Sequence, residues 1–202
     1  MMPKERILRL FRKEPIDRMP VFSGQGMVVL PAIQALNLRF SEVHLTAENL
    51  AASAVETAEM FGFDSVVLPY DMCTIPEAAG HSVSLYHQSE EVLYPTLPEK
   101  WKTIDEVVLP EDILQRGRMP AVSEAIRIVK ERVGERVAVG SWTLGPFTMA
   151  GQLVELDILM KSTLKARQKV EDLLDRLADL LIHVGRHYRD LGVDYMSLRE
   201  MG

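Results

Sequence analysis

Apolar residues recur at helical spacing in several segments of the chain, and most of these segments lead into a short apolar run. One helix is predicted over residues 50–61, behind the N-cap residue Thr46, and a longer one over residues 170–188. A third helix opens at Pro120, and a short amphipathic helix opens at Pro3. Each of these helices is expected to bury one apolar face.

Four short apolar runs are predicted to be β-strands. They cover residues 20–23, 64–68, 136–142 and 193–198. Continuously apolar strands are typical of sheets covered on both faces, and helical sequence between consecutive strands implies parallel pairing through right-handed crossovers. The chain is therefore predicted to be an α/β protein with a parallel sheet, either an open doubly wound sheet or a β/α barrel.

One junction between helix and strand is used twice. Gly62 follows one helix and leads to Asp64 and a strand, and Gly192 follows another and leads to Asp194 and a strand. Glycine ends helices because it takes the left-handed conformation at little cost. We therefore expect two equivalent tight turns.

A β-hairpin excursion is predicted between the second and third strands. Apolar residues alternate around Val83, Leu85 and Val92, and several prolines interrupt residues 81–98. This stretch is expected to leave the repeating β/α pattern.

Charge and cysteine content limit the partners and the location. The net charge is −6 without any cluster of lysine or arginine, so no nucleic-acid partner is expected. No apolar run reaches the roughly 18 residues that span a bilayer, so no membrane partner is expected either. Cys73 is the only cysteine, which excludes an intramolecular disulfide and a Cys-based zinc site within one chain. These features predict a cytoplasmic protein with a single domain over residues 1–202.

Four residues at or near the ends of predicted strands are candidates for a substrate pocket, namely Gln25, Asp71, Trp142 and Glu200. Parallel folds place their sites at the carboxyl ends of the strands. Gln25 lies in a glycine-flanked loop that would make a pocket wall, although the loop lacks the third glycine and the lysine of a phosphate loop. Asp71 is compatible with an active-site carboxylate and equally with a turn-stabilising aspartate.

Three further features have both a functional and a structural interpretation. A helix starting near Phe147 would point its backbone amides into the pocket, where they could receive an anionic substrate group or only pack the rim. Arg199 ends the fourth strand beside Glu200 and faces the same rim in a barrel. His183 and His187 have the spacing of paired metal ligands on a helix, but a solvated helix face is the more economical interpretation.

Three motifs, in order along the chain, resemble the uroporphyrinogen decarboxylase superfamily. Residues 15–21, Pro-Ile-Asp-Arg-Met-Pro-Val, resemble the Asp-Arg-x-Pro-Val entry to its first strand. Residues 62–80 are similar to its second-strand region, and residues 145–150 resemble its third-strand signature. The resemblance covers nearly the whole chain. It implies a parallel β/α barrel of the TIM type, of which this chain would carry the N-terminal half, about the first four β/α units.

Two branches of this superfamily differ in the segment after the first strand. The decarboxylases carry an arginine-rich Arg-Gln-Ala-Gly-Arg stretch that binds the carboxylates of their substrate. The corresponding residues here, Ser23 to Met27, include no arginine. A desolvated carboxylate needs a paired cation, so this difference disfavours decarboxylation. The decarboxylase remains an alternative because Asp71 falls where that branch keeps the aspartate that contacts the pyrrole nitrogens.

The chain resembles more closely the corrinoid-dependent methyltransferase branch, which includes methylcobamide:coenzyme M methyltransferases. That resemblance implies methyl transfer between a corrinoid protein and a small donor or acceptor, with zinc and a corrinoid (cobalamin) as cofactors of the intact enzyme. The branch binds zinc through a His-x-Cys…Cys set in the second half of the barrel. No His-x-Cys occurs here, and Cys73 is in another place. Only pocket-wall roles for Gln25, Asp71, Trp142 and Glu200 are therefore carried over.

The activity of the chain by itself stays open at this point. No catalytic residue and no metal ligand is assigned, and this chain alone is expected to bind neither cofactor and to be catalytically incompetent. A non-catalytic half-barrel is the remaining alternative, because an open fourth strand would expose an unpaired edge that a second copy could cover. Homo-oligomerisation is expected under that alternative.

Overall fold

The structure, a computed structural model that describes residues 1–201, contains a parallel sheet of three strands in the order β1-β2-β3. The strands are β1 (Ser65–Leu68), β2 (Ala138–Leu144) and β3 (Tyr195–Arg199). Ser65 pairs with Ala138, and Gly140 pairs with Tyr195. β1 and β2 are buried along their whole length, as expected for strands covered on both faces. The predicted α/β class and parallel sheet are confirmed.

Eight α-helices accompany the sheet in the described part of the chain. They are α1 (Pro3–Phe11), α2 (Leu30–Ala35), α3 (Ala47–Phe61), α4 (Thr74–Ala79), α5 (Met119–Val133), α6 (Pro146–Leu153), α7 (Leu156–Lys165) and α8 (Arg167–Asp190). Short 3-10 helices lie at Phe40–His44, Ile104–Glu106 and Ile113–Gln115. α3 and α5 pack on each other and on β1, and α8 packs on β2 and α6, around one continuous core. Within residues 1–201, no helix is long and apolar enough to cross a membrane.

The prediction of the first of the four strands is wrong, because residues 20–23 lie beside β1 without joining the sheet. Among the described residues, one backbone hydrogen bond links the two segments, from the Asp64 N–H to the Val21 carbonyl at 2.8 Å. Pro20 has no N–H, and the Val21 N–H donates to the Asp64 carboxylate at 2.7 Å instead. The described sheet therefore contains three of the four expected strands.

The two helix–glycine–strand junctions share one set of interactions. Gly62 (φ 66°) and Gly192 (φ 86°) take the left-handed conformation, as predicted. In the second junction, the Asp194 N–H donates to the Val139 carbonyl at 2.6 Å, and the Asp194 carboxylate accepts from the Val139 N–H at 2.8 Å. The aspartate two residues after Gly62 makes the same pair of bonds with Val21. Each aspartate thus links the start of its strand to the neighbouring chain segment, which is residues 20–23 for Asp64 and β2 for Asp194.

Residues 81–98 leave the β/α pattern, and their hairpin character is limited to one antiparallel bridge. In this bridge Ser84 and Thr96 exchange backbone hydrogen bonds of 2.9 and 3.2 Å. The thiol of Cys73 donates to the Pro95 carbonyl at 3.2 Å. The excursion therefore packs against the chain that follows β1.

β3 lies at one edge of the sheet and is the least covered strand. Met196 and Leu198 face the outer side beside α8, and Leu198 is 63% exposed. Tyr195 and Arg199 lie on the opposite face, because side chains alternate along a strand. The ring of Tyr195 covers Gly140, where a side-chain carbon would come within 2.5 Å of the ring. This alternation determines which β3 side chains face the loops at the carboxyl ends of the strands, a region called here the mouth of the sheet.

Candidate functional site

Asp71 lies three residues beyond β1, and only 1% of its side chain is exposed. Arg118, which precedes α5, donates to both carboxylate oxygens at 2.7 and 3.2 Å. The N–H of Cys73 donates to the same carboxylate at 2.8 Å, which is the turn-stabilising bond that the sequence allowed. Nδ1 of His44 lies 3.2 Å from Oδ2. The carboxylate is therefore surrounded by partners from the protein itself.

The surroundings of Asp71 keep it ionised. Burial alone would raise the pKa of this carboxyl group, but the neighbouring His44 and the charge of Arg118 outweigh burial and hold the pKa well below its usual range. Arg118 also donates to Glu77 at 2.7 Å, so that one guanidinium faces two carboxylates. A general acid needs a pKa near the working pH. Asp71 therefore suits the role of a fixed anion and not that of a proton donor at neutral pH.

His44 and Arg118 are functional candidates that the sequence analysis did not identify. His44 is buried on the 3-10 helix before α3, and its ring contacts the rings of Phe40, Tyr70 and Tyr94. In the part of the chain that the structure describes, its Nε2 has no hydrogen-bond partner. Neither residue belongs to a sequence motif, because each reaches Asp71 only through tertiary packing.

Glu200 closes the N-terminus of α6. Its Oε1 accepts from the backbone N–H and from the hydroxyl of Thr148, both at 2.7 Å. A side-chain carbon at Gly145 would lie 1.8 Å from the other carboxylate oxygen, so a larger residue there would displace the Glu200 side chain. The sequence predicted that an anionic group of a substrate could bind at this helix N-terminus. In the structure the carboxylate of Glu200 occupies that position.

Trp142 and the loop around Gln25 both contact the end of β1. Trp142 is buried on β2, and its indole N–H donates to the Pro69 carbonyl at 2.6 Å. A side-chain carbon at Gly26 would lie 1.8 Å from the same carbonyl oxygen, so the loop requires glycine at this point. Gln25 itself is exposed, and its N–H bonds the Ser23 hydroxyl at 3.2 Å. The loop and the tryptophan therefore meet at Pro69.

β3 also reaches this loop. The Tyr195 hydroxyl donates to the Ser23 carbonyl at 2.8 Å, and the Ser197 hydroxyl donates to the Gly24 carbonyl. The structure thus brings Gln25, Trp142 and the inner face of β3 toward the end of β1. The carboxylates of Asp71 and Glu200 are engaged by other partners. Substrate binding by these four candidate residues stays a prediction.

The described residues do not fit a zinc ion. They contain no group of three or more His, Cys, Asp or Glu side chains that could hold a metal. Burial, reinforced by the charge of Asp71, raises the pKa of Cys73 to about 12, whereas zinc binds the thiolate. His187 Nε2 lies 2.7 Å from the Ser123 hydroxyl oxygen, and His183 is exposed.

Known proteins resemble this chain over most of its length. Methylcobamide:CoM methyltransferase MtaA of Methanosarcina barkeri (strain Fusaro) is 30% identical over 98% of this chain and 58% of its own length. The uroporphyrinogen decarboxylase of Salinibacter ruber is 29% identical over 75% of this chain and 42% of its own length. The solved structure of a methyltransferase from Methanosarcina mazei superposes with a TM-score of 0.89 at 28% identity, covering 99% of this chain and 59% of that one.

The chain therefore spans less than two thirds of the length of these relatives. Uroporphyrinogen decarboxylase (URO-D) is the family that matches, and the match extends over residues 2–201. Its span includes all four candidate residues, both aspartate junctions and the whole described sheet. This chain belongs to the uroporphyrinogen decarboxylase family.

Proposed function

We propose that the full-length protein transfers a methyl group between a corrinoid and a small donor or acceptor molecule. The observation that carries this proposal is the breadth of the similarity. The methylcobamide:CoM methyltransferases align over nearly the whole chain, and the decarboxylases align over a smaller share of it. The superposition on a solved methyltransferase supports the same branch.

The distribution of cations supports methyl transfer over porphyrinogen decarboxylation. Each carboxylate that leaves water needs a charged partner. Residues 23–27 contain no arginine, and Arg118 is already shared by Asp71 and Glu77. The described mouth of the sheet therefore lacks the set of cations that a substrate with many carboxylates requires.

The proposal includes the cofactors, partners and location that the resemblance implies. The full-length protein would use zinc and a corrinoid, with a corrinoid protein as its partner, in the cytoplasm. Zinc bound to a thiol would supply an activated thiolate for methyl transfer. The four candidate residues Gln25, Asp71, Trp142 and Glu200 would form part of the pocket wall around the substrate.

We further propose that residues 1–202 form a single domain, which is the N-terminal half of a β/α barrel. The edge of β3 and an apolar groove of about 380 Å³ beside it support this proposal. The groove lies between α8 and β3, with Ile182 half exposed in its wall. An apolar groove next to an open strand edge fits the packing of a further strand and helix.

Methyl transfer is tested on the full-length protein with methylcobalamin as donor and 2-mercaptoethanesulfonate as acceptor, in the presence of zinc. Loss of the methylcobalamin absorbance measures the reaction, and uroporphyrinogen is offered in a parallel assay for decarboxylation. We expect demethylation in the first assay and no decarboxylation in the second. Decarboxylation of uroporphyrinogen without demethylation would reverse the assignment.

A further inference from the structure

We infer that Arg18 is a positioning residue of the substrate pocket. Through Asp64 it fixes the register of residues 20–27 against β1, and this register places the loop that carries Gln25. The inference rests on the proposed function in one respect, namely that this loop is a wall of the substrate pocket. Arg18 belongs to the Asp-Arg-x-Pro-Val motif over residues 15–21, which has no part in the proposed chemistry.

Two arginines bind the carboxylate of Asp64, which is completely buried just before β1. Arg18 donates one hydrogen bond to each carboxylate oxygen, at 2.9 and 3.0 Å. Arg6 of α1 donates to Oδ1, and the Val21 N–H donates to Oδ2 at 2.7 Å. A guanidinium that binds both oxygens fixes the orientation of the carboxylate as well as its charge. Arg18 therefore holds Asp64 in the orientation that binds Val21.

One register relates residues 20–27 to β1 at both ends of the contact. Val21 meets Asp64 at one end, and Gly26 meets the Pro69 carbonyl at the other, five residues further along each segment. A side-chain carbon at Gly26 would lie 1.8 Å from that carbonyl oxygen. A slip by one residue would bring Gln25 or the residue after Gly26 to this position and reverse the direction of every side chain. The position of Gln25 therefore depends on the contact at Asp64.

The second aspartate junction shows what is particular to Asp64. Asp194 also has two cations, Lys4 of α1 at 3.1 Å and Lys130 at 3.3 Å, and each lysine is a point charge without a planar fork. There the register is set by five residue pairs between β2 and β3. Between residues 20–23 and β1, the described chain has a single backbone hydrogen bond. The arginine fork thus occurs at the junction that lacks a ladder.

Hydrogen–deuterium exchange on the full-length protein tests the register without any assay of catalysis. Peptides that cover residues 21–27 are compared in the wild type, Arg18→Gln and Arg18→Lys. Arg18 is half-exposed and Asp64 keeps Arg6 as a partner, so the variants should fold, which urea unfolding checks. The matched control is Lys130→Gln, which leaves Asp194 paired with its own α1 cation.

We expect Arg18→Gln to speed exchange over residues 21–27 by on the order of 10-fold, since two hydrogen bonds to a buried charge are lost. Arg18→Lys should restore the slow exchange only in part, because a lysine cannot bind both oxygens in the same way. Lys130→Gln should leave the exchange of this segment unchanged.

The kinetic constants of the methyl-transfer assay connect the register to the pocket. With 2-mercaptoethanesulfonate as acceptor, Arg18→Gln should raise KM by on the order of 10-fold and change kcat by less than about twofold, as expected when binding alone is weakened. Gly26→Ala should raise KM in the same way with Arg18 intact, because the added methyl group displaces the loop from Pro69. Lys130→Gln should match the wild type.

Unchanged exchange over residues 21–27 in Arg18→Gln would overturn the inference. Faster exchange with an unchanged KM would also overturn it, because the contact would then hold the segment without positioning the pocket. A wild type without methyl transfer would refute the proposed function instead, and the exchange rates would still decide whether Arg18 sets the register.

Discussion

Asp71 combines almost complete burial with an ion pair to Arg118 and a backbone hydrogen bond just beyond the end of β1. Two nitrogens of Arg118 and one backbone N–H bond its carboxylate. An ion pair in this setting adds little over an apolar pair, but removal of one partner leaves an uncompensated buried charge. Asp71 therefore holds Arg118 and the start of α5 in place, whatever its contact with a substrate.

We predict that Asp71→Asn lowers the free energy of unfolding by about 3–5 kcal/mol, because Arg118 keeps its buried charge with Glu77 alone. Urea denaturation measures this loss. The matched control is Asp112→Asn, which removes an exposed pair with Arg116 and should change the free energy of unfolding by about 0.5 kcal/mol or less. Similar losses in the two variants would show that the Asp71 pair is as weak as a surface pair.

The pH dependence of stability should report the same ion pair. Because the pKa of Asp71 is lower in the folded state than in the unfolded chain, its stabilising contribution is fully present above about pH 4. That contribution declines as the pH falls toward the folded-state pKa. The difference in unfolding free energy between the wild type and Asp71→Asn should therefore shrink below about pH 4. A difference that stays constant from pH 7 to pH 3 would contradict the depressed pKa.

The position of Asp71 could be predicted from the sequence, and its partners could not. A carboxylate directly after an apolar strand lies at the carboxyl end of a parallel sheet by topology alone. Arg118 and His44 reach it from separate elements, and no spacing in the sequence relates them to it. The engagement of Glu200 by Thr148 was hidden for the same reason.

At the scale of secondary-structure elements, the repeated helix–glycine–strand junction is the best predicted feature. Both glycines have the expected positive φ angles, and Thr46 caps α3 through a 3.1 Å bond from the Asn49 N–H. The predicted strand over residues 20–23 failed because a proline and an aspartate carboxylate occupy the positions where ladder bonds would form. The spacing of apolar residues contains no information about either effect.

We predict that Gly62→Ala lowers the free energy of unfolding by about 1–2 kcal/mol, because the left-handed conformation strains an L side chain. No atom of the described chain lies within 4 Å of the added methyl group, so the loss isolates the backbone effect. Gly62→Asn should lose less, since asparagine tolerates this conformation.

Gly151→Ala in α6 is the matched control for this measurement. Its methyl group would meet Leu156 at an ordinary 3.6 Å, and alanine favours the helix, so a gain of roughly 0.5–1 kcal/mol is expected. Thermal or urea unfolding of the three variants checks the opposite signs. A gain in stability for Gly62→Ala would show that strain at this junction is negligible.

At the scale of the whole molecule, the open edge of β3 is the dominant feature. β1 and β2 are fully buried, whereas β3 exposes Leu198 beside an apolar groove. The sequence predicts parallel strands and crossovers, but periodicity does not distinguish a barrel from an open sheet. That distinction depends on what pairs with the edge of β3.

That residues 1–202 belong to a larger barrel is tested most directly by the intact mass of the protein as its source organism produces it. We predict a mass well above 22.8 kDa, on the order of a complete barrel of at least about 250 residues. A mass of 22.8 kDa would contradict this prediction. The proposed methyltransferase would then have no second half of the barrel. A self-associating half-barrel would become the better explanation of the open edge.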